Sequence, residues 1–201
     1  VAAKVAVAVV IKFEKVQPNK RLEEQPAMIH HLSIAAQNPK QVAYVLAELF
    51  QGEAFPFPDA RYPDSYVALT FDVHGTVVDV HPFTTELIPG SQDDTMFQRR
   101  QNPDASPYTA THAAISVPAS EEQIQAIAAR ENWQMRHRRG MFEVIELWIE
   151  NRVLIELLPP TIASGYLTFM ESHTLKQFFA AKAASTEQKN FSPISDRESS
   201  P

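Results

Sequence analysis

The sequence predicts an α+β fold: two βαβββ modules with mixed, curved sheets. Three observations carry that prediction. Ile29 to Ile34 (IHHLSI) and Thr111 to Ser116 (THAAIS) are both strand-like and both contain a histidine. Thr76 to Pro82 (TVVDVHP) and Val153 to Pro159 (VLIELLP) are both strand-like, and each holds a carboxylate followed by proline. Between each opening and closing stretch lie one helix-period segment and further strand-period runs in the same order. The closing hairpins align without a gap, Phe71 on Trp148, Val78 on Ile155, Asp79 on Glu156 and Pro82 on Pro159. The opening strands align His31 on His112 and Ile34 on Ile115. Self-similarity on this scale marks a repeated structural unit.

Each element has a local cause. Met28 to Ala36 alternates as a strand does. Asn38-Pro39 offers a helix cap with proline at the first helical position. Val42, Val45, Leu46, Leu49 and Phe50 follow at helical spacing, and Gly52 is expected to stop that helix. Residues 53–65 hold three prolines and read as an irregular connection with room for a short edge strand. Tyr66 to Asp72 and Thr76 to His81 read as a hairpin around Val73-His74-Gly75, where glycine supplies a positive φ.

In the second unit, Ala110 to Val117 is the opening strand. Ser120 caps a helix with Glu121 and Glu122 in its first turn and Ile124, Ile127 and Ala128 as its apolar stripe. Asn132 to Arg139 reads as a polar strand. Phe142 to Ile149 and Arg152 to Leu158 form the second hairpin around Glu150-Asn151. The resulting division is an N-terminal extension over 1–27, a first module over 28–83, a linker over 84–109, and a second module over 110–160. A C-terminal helix over 161–184, with Ser164 read as a helix cap, and a polar, disordered tail over 185–201 follow. The expectation is either a natural start at Met28 or a chain that is a fragment.

Composition narrows the function classes. The chain has 201 residues, 44% apolar and 21% charged, as in a globular protein. With 18 basic against 24 acidic residues the net charge is −6, which argues against nucleic acid as a partner. No cysteine is present, so disulfides, thiolate metal sites and a cysteine nucleophile are excluded, in keeping with the cytoplasm. No stretch reaches the roughly 20 apolar residues of a membrane span. Five glycines leave no phosphate loop or dinucleotide fingerprint.

Alternation then points to a site. His31, Ser33 and Ala35 share one strand face, and His112, Ala114 and Ser116 another, both small and polar beyond the histidine. Asp79 and His81 share a face of their strand. Of His30 and His31, one is expected to face the helices. Glu156 sits between Ile155 and Leu157, and a buried carboxylate needs a partner, either a metal or an arginine. His74 reads as solvent-facing, Arg136-His137-Arg138-Arg139 as a solvated strand edge, and Trp133 and Trp148 as core aromatics.

The doubled strand-helix-three-strand unit over residues 28–160 resembles the vicinal oxygen chelate superfamily, which includes glyoxalase I, methylmalonyl-CoA epimerase, fosfomycin-resistance proteins and extradiol dioxygenases. The resemblance implies a divalent metal held by His31, Asp79, His112 and Glu156, closest in pattern to glyoxalase I and the epimerase. His81 is the alternative to Asp79. Iron, manganese, nickel, cobalt and zinc are not distinguished. The resemblance implies a metal-dependent lyase, isomerase or epimerase acting on a small oxygenated substrate, with Glu156 as ligand and proton-transfer group. The alternative on the same fold is a non-catalytic, resistance-type protein that sequesters a small ligand. A dioxygenase stands third, because Glu146 and Trp148 occupy the region where a further histidine is needed. The expected partner is a small molecule, with neither nucleic acid nor membrane, and a homodimer is entertained.

Overall fold

The computed structural model describes residues 28–59, 62–89 and 97–190. The first module runs β1 (His31–Ala36), α1 (Pro39–Phe50), β2 (Glu53–Pro56), β3 (Tyr66–Leu69) and β4 (Val77–Pro82). Its sheet has the order β1-β4-β3-β2, with β1 parallel to β4 and the other pairs antiparallel. A hairpin follows, β5 (Thr85–Pro89) and β6 (Phe97–Gln101). The second module runs β7 (Ala113–Ser116), α2 (Glu121–Glu131), β8 (Gln134–Arg138), β9 (Val144–Ile149) and β10 (Val153–Leu158), in the order β7-β10-β9-β8. Here too the first and last strands are parallel. Then come α3 (Pro160–Phe169) and α4 (Ser172–Asn190). The expected α+β fold of two mixed-sheet modules is the one observed.

The helices form where their caps and stripes dictate. The Asn38 side chain accepts from the Gln41 N–H at 3.2 Å, and Pro39 opens α1. Ser120 and Gln123 make a reciprocal capping box at the start of α2. Val42, Val45, Leu46 and Leu49 of α1 are buried, as are Ile124 and Ile127 of α2. They lie against one face of each sheet, where Ile34, Val78 and Val80 in the first module answer Ile145, Leu147, Ile155 and Leu157 in the second. These residues form one continuous core across both modules. Each fully buried leucine or isoleucine contributes roughly 1.5–3 kcal/mol. Packing one face on the helices leaves the opposite, inner face of each sheet for other work.

Several expectations change. Gln51, not Gly52, takes the left-handed conformation ending α1, at φ 53°. Gly52 is needed for a different reason: a Cβ there would lie 1.8 Å from the Leu69 carbonyl oxygen. The stretch expected as linker contains the β5–β6 hairpin, held by polar cross-strand pairs such as Glu86 with Arg100. The C-terminal helix starts four residues before Ser164, directly after Pro159, and breaks at Met170-Glu171, so Ser164 is inside α3 and caps nothing. The second piece continues past 184 to Asn190. The extension over 1–27 and the end of the tail lie outside the described residues. Among the described residues no helix is long and apolar enough to cross a membrane.

Candidate functional site

The two inner sheet faces differ in chemistry. In the first module, Phe55, Phe57, Val67, Leu69 and Val77 line a cup of about 420 Å³. Among the described residues, its one charged lining residue is Asp79. Parallel pairing sets Ser33 opposite Asp79, and the Ser33 hydroxyl donates to its carboxylate at a long 3.5 Å. Burial raises the Asp79 carboxyl above its ordinary value, while nearby His31 and His81 pull it back. His31 is exposed at the start of β1. His81 is buried, with Nδ1 2.9 Å from the Ser65 hydroxyl and its ring against Phe57 and Tyr62. Burial lowers the His81 imidazole below its ordinary value, which favours the neutral ring.

The inner face of the second module is polar. Alternation places Glu156 on β10, Glu146 and Trp148 on β9, and Gln134, Arg136 and Arg138 on β8 together there. Glu146 and Glu156 are cross-strand partners, two like charges side by side. Arg138 resolves the conflict: its Nε donates to Glu146 at 2.8 Å and its Nη2 to Glu156 at 2.6 Å. The same guanidinium lies 5.5 Å over the ring of Phe142, which packs on Tyr166 and Phe169 of α3. Of the two partners expected for Glu156, the structure supplies the arginine. Arg138 belongs to the run read as a solvated edge, and the demand of a half-buried carboxylate for a partner is the signal that could have found it. Within that run, His137 points the other way, 3.6 Å from Glu121 and 3.1 Å from Glu143.

The four residues expected to bind metal are placed as follows. His31 and Asp79 share the first inner face. Glu156 is held by Arg138 on the second. His112 is exposed just before β7, its Nδ1 3.1 Å from the Ala110 carbonyl oxygen. Among the described residues, no three histidine, aspartate or glutamate side chains group in a way that could hold a metal ion. A divalent ion at Glu156 would also meet the Arg138 cation already on that carboxylate. As placed in one chain, these residues do not fit a shared metal. Neither of the adjacent histidines faces the helices; both are exposed, and the His30 Nδ1 lies 2.6 Å from the His74 carbonyl oxygen.

No family model matches the chain, and no curated protein does. Solved structures do. The fosfomycin resistance protein FosX from Mesorhizobium loti is 13% identical, with a TM-score of 0.40 over 70% of this chain and 97% of its own. Glyoxalase I from Leishmania major, described as trypanothione-dependent, is 14% identical, with a TM-score of 0.37 over 82% of this chain and 99% of its own. In fold the chain resembles the vicinal oxygen chelate proteins. The doubled βαβββ order and the parallel pairing of first and last strands in each module support that statement. A mutant FosX from Listeria monocytogenes was solved with Mn(II) and 1S,2S-dihydroxypropylphosphonic acid; it is 14% identical, with a TM-score of 0.38 over 66% of this chain and 92% of its own.

Proposed function

We propose that the chain is a non-catalytic binding protein for a small, largely apolar molecule bearing a positive charge or a strong hydrogen-bond donor. The observation that carries this reading is the apolar cup of the first module with Asp79 as its one charged lining residue among those described. A half-buried carboxylate whose hydrogen-bond partner among the described residues is a hydroxyl at 3.5 Å is under-compensated, and a ligand cation would supply what it lacks. The cup's volume falls within the roughly 300–1,000 Å³ usual for small-molecule sites. Asp79 is then a ligand-recognition residue. A cytoplasmic location, and either a monomer or a homodimer, accommodate this reading.

The second reading is the divalent-metal lyase, isomerase or epimerase with His31, Asp79, His112 and Glu156 as ligands and Glu156 as base. The closeness of His31 to Asp79 favours it. The Arg138 bridge weighs against it, because Glu156 must lose a charge-assisted pair before it can ligate or take a proton. A fold shared by proteins of different chemistry does not decide between the two.

Calorimetric titration separates them. Phenethylamine should bind the full chain saturably, and 3-phenylpropanoate should not. Asp79→Asn should weaken the amine by about tenfold or more. Arg138→Met and Glu156→Gln should leave that affinity near wild type. Stoichiometric uptake of Mn²⁺, Ni²⁺ or Zn²⁺ that disappears in Glu156→Gln, with no preference for the amine, would establish the enzyme reading instead.

A further inference from the structure

Arg152 is a buried charge that neither reading uses. It follows the tight Glu150-Asn151 turn, whose residues have φ of 50° and 56°, and is only 8% exposed. Its guanidinium lies 3.6 Å over the ring of Phe83, at the end of the first module, and its Nε donates to the Pro107 carbonyl at 3.1 Å. The first module, the 102–112 segment and the second module therefore all meet at this one side chain.

A purely structural arginine would have its terminal nitrogens paired as well. Here Nη1 is buried without a hydrogen-bond partner among the described residues. The nearest carboxylate, Glu150, stands 3.6 Å away, too far for a hydrogen bond. Its two oxygens are already committed to the Gln37 and Asn38 N–H groups, at 2.6 and 2.7 Å. The guanidinium is thus fixed by its face and by Nε, with a terminal donor left over. Burial lowers its proton affinity, and the Glu150 ion pair at 3.6 Å offsets this only in part.

A cavity of about 220 Å³ lies against this side chain. Ser106, Thr109 and Thr111 line it with Ser33, whose hydroxyl is taken by Asp79, and among the described residues no acidic one lines it. Thr109 Oγ1 accepts from the Thr111 N–H, which leaves its own hydroxyl hydrogen to donate. Ser106 already donates to the Tyr108 carbonyl and would have to turn to contribute. A fixed guanidinium with neutral hydroxyl donors around it is the chemistry that receives a planar or tetrahedral anion.

We propose that this cavity between the modules binds a small oxyanion, the carboxylate or phosphate group of a metabolite-sized molecule, with Arg152 as its charged partner and Thr109 as a neutral donor. The site is distinct from the Asp79 cup, which selects the opposite charge, so either assignment can fail without the other.

The test is titration of the full chain with inorganic phosphate and, separately, succinate, followed by calorimetry and by the arginine Nε–H NMR signals. One anion should bind saturably at one site and move the Arg152 signal, identified by its loss in Arg152→Lys. Arg152→Met should weaken binding by about thirtyfold or more, Arg152→Lys by less, and Thr109→Val by a few-fold. Asp79→Asn should leave it unchanged. Phosphate preferred over succinate would identify a phosphate ester as the natural ligand, and the reverse a carboxylate. Should Arg152→Met fail to fold, the Arg152→Lys and Thr109→Val affinities decide. No saturable binding of either anion up to about 10 mM at low salt, undiminished binding in Arg152→Lys, or equal shifts at the exposed Arg100, Arg136 and Arg139 would overturn the proposal.

Discussion

Asp79 and His81 sit two residues apart on one strand and respond to burial in opposite directions. For Asp79 the folded value lies above 3.8, so folding favours the protonated form. The associated stability is present below 3.8 and is lost as pH rises through the folded value. At neutral pH the protein carries a carboxylate that costs it stability. Asp79→Asn should therefore raise the melting temperature at pH 7, and its advantage should shrink toward pH 4. Protonation of His81 acts in the same direction, since it then favours the wild-type charge. A variant that is more stable yet has lost the amine ligand is what a functional carboxylate predicts. His81 has a folded value below 6.5, so its contribution is complete above 6.5 and is lost as pH falls toward the folded value. Melting followed from pH 7.5 to 5 should slope downward in wild type and flatten in His81→Gln. A slope unchanged by that substitution would mean another group titrates.

At the scale of elements, two glycines make a controlled pair. Gly52 has backbone where its Cβ would go, whereas Gly75 has open space and a φ of 65°. Gly75→Ala should cost about 1–2 kcal/mol, the strain of a left-handed residue. Gly52→Ala must push β3 away from α1 and should cost at least the roughly 1–3 kcal/mol of an overpacked core. Chemical denaturation of the two variants gives the order. The sequence made Gly75 legible, because a positive φ in a turn is a local requirement, although β3 ends at Leu69 rather than Asp72 and the loop spans 70–76. At Gly52 the residue could be singled out but not its reason, since the carbonyl it meets lies across the module. The same division runs through the fold. Alternation and capping residues exposed both modules, whereas the β5–β6 hairpin, with polar residues such as Glu86 and Arg100 facing each other, carries no periodic apolar signal. For the site, the sequence showed which side chains share a strand face. It could not show that Arg138 would reach both Glu146 and Glu156, because that contact depends on strand order and side-chain reach.

The two modules behave as one body because charge and core both cross between them. Glu150, in the turn between β9 and β10, accepts the N–H groups of Gln37 and Asn38 at the start of α1. It thereby places a negative charge at that helix's positive end. Arg130 of α2 grips Glu48 of α1 through two nitrogens, at 2.7 and 3.1 Å, while Gln41 of α1 donates to Glu131 of α2. The Arg130 pair is half exposed, so it steers the packing more than it stabilises it. The buried cluster supplies the energy, and it includes Leu46 and Leu49 from one module and Ile124 and Ile127 from the other. Leu46→Ala should then cost roughly 2–5 kcal/mol and lower a single cooperative transition. Its effect should reach the other module: amide exchange at Ile124 to Ala128 should speed up along with exchange in α1, and Ile127→Ala should do the reverse. Glu150→Gln should cost about 0.5–2 kcal/mol in the manner of a lost helix cap, with the same shared transition. Two separated melting steps in Leu46→Ala, with α2 protected through the first, would show that the modules fold as independent units and that the contacts at Glu150 and Arg130 merely touch.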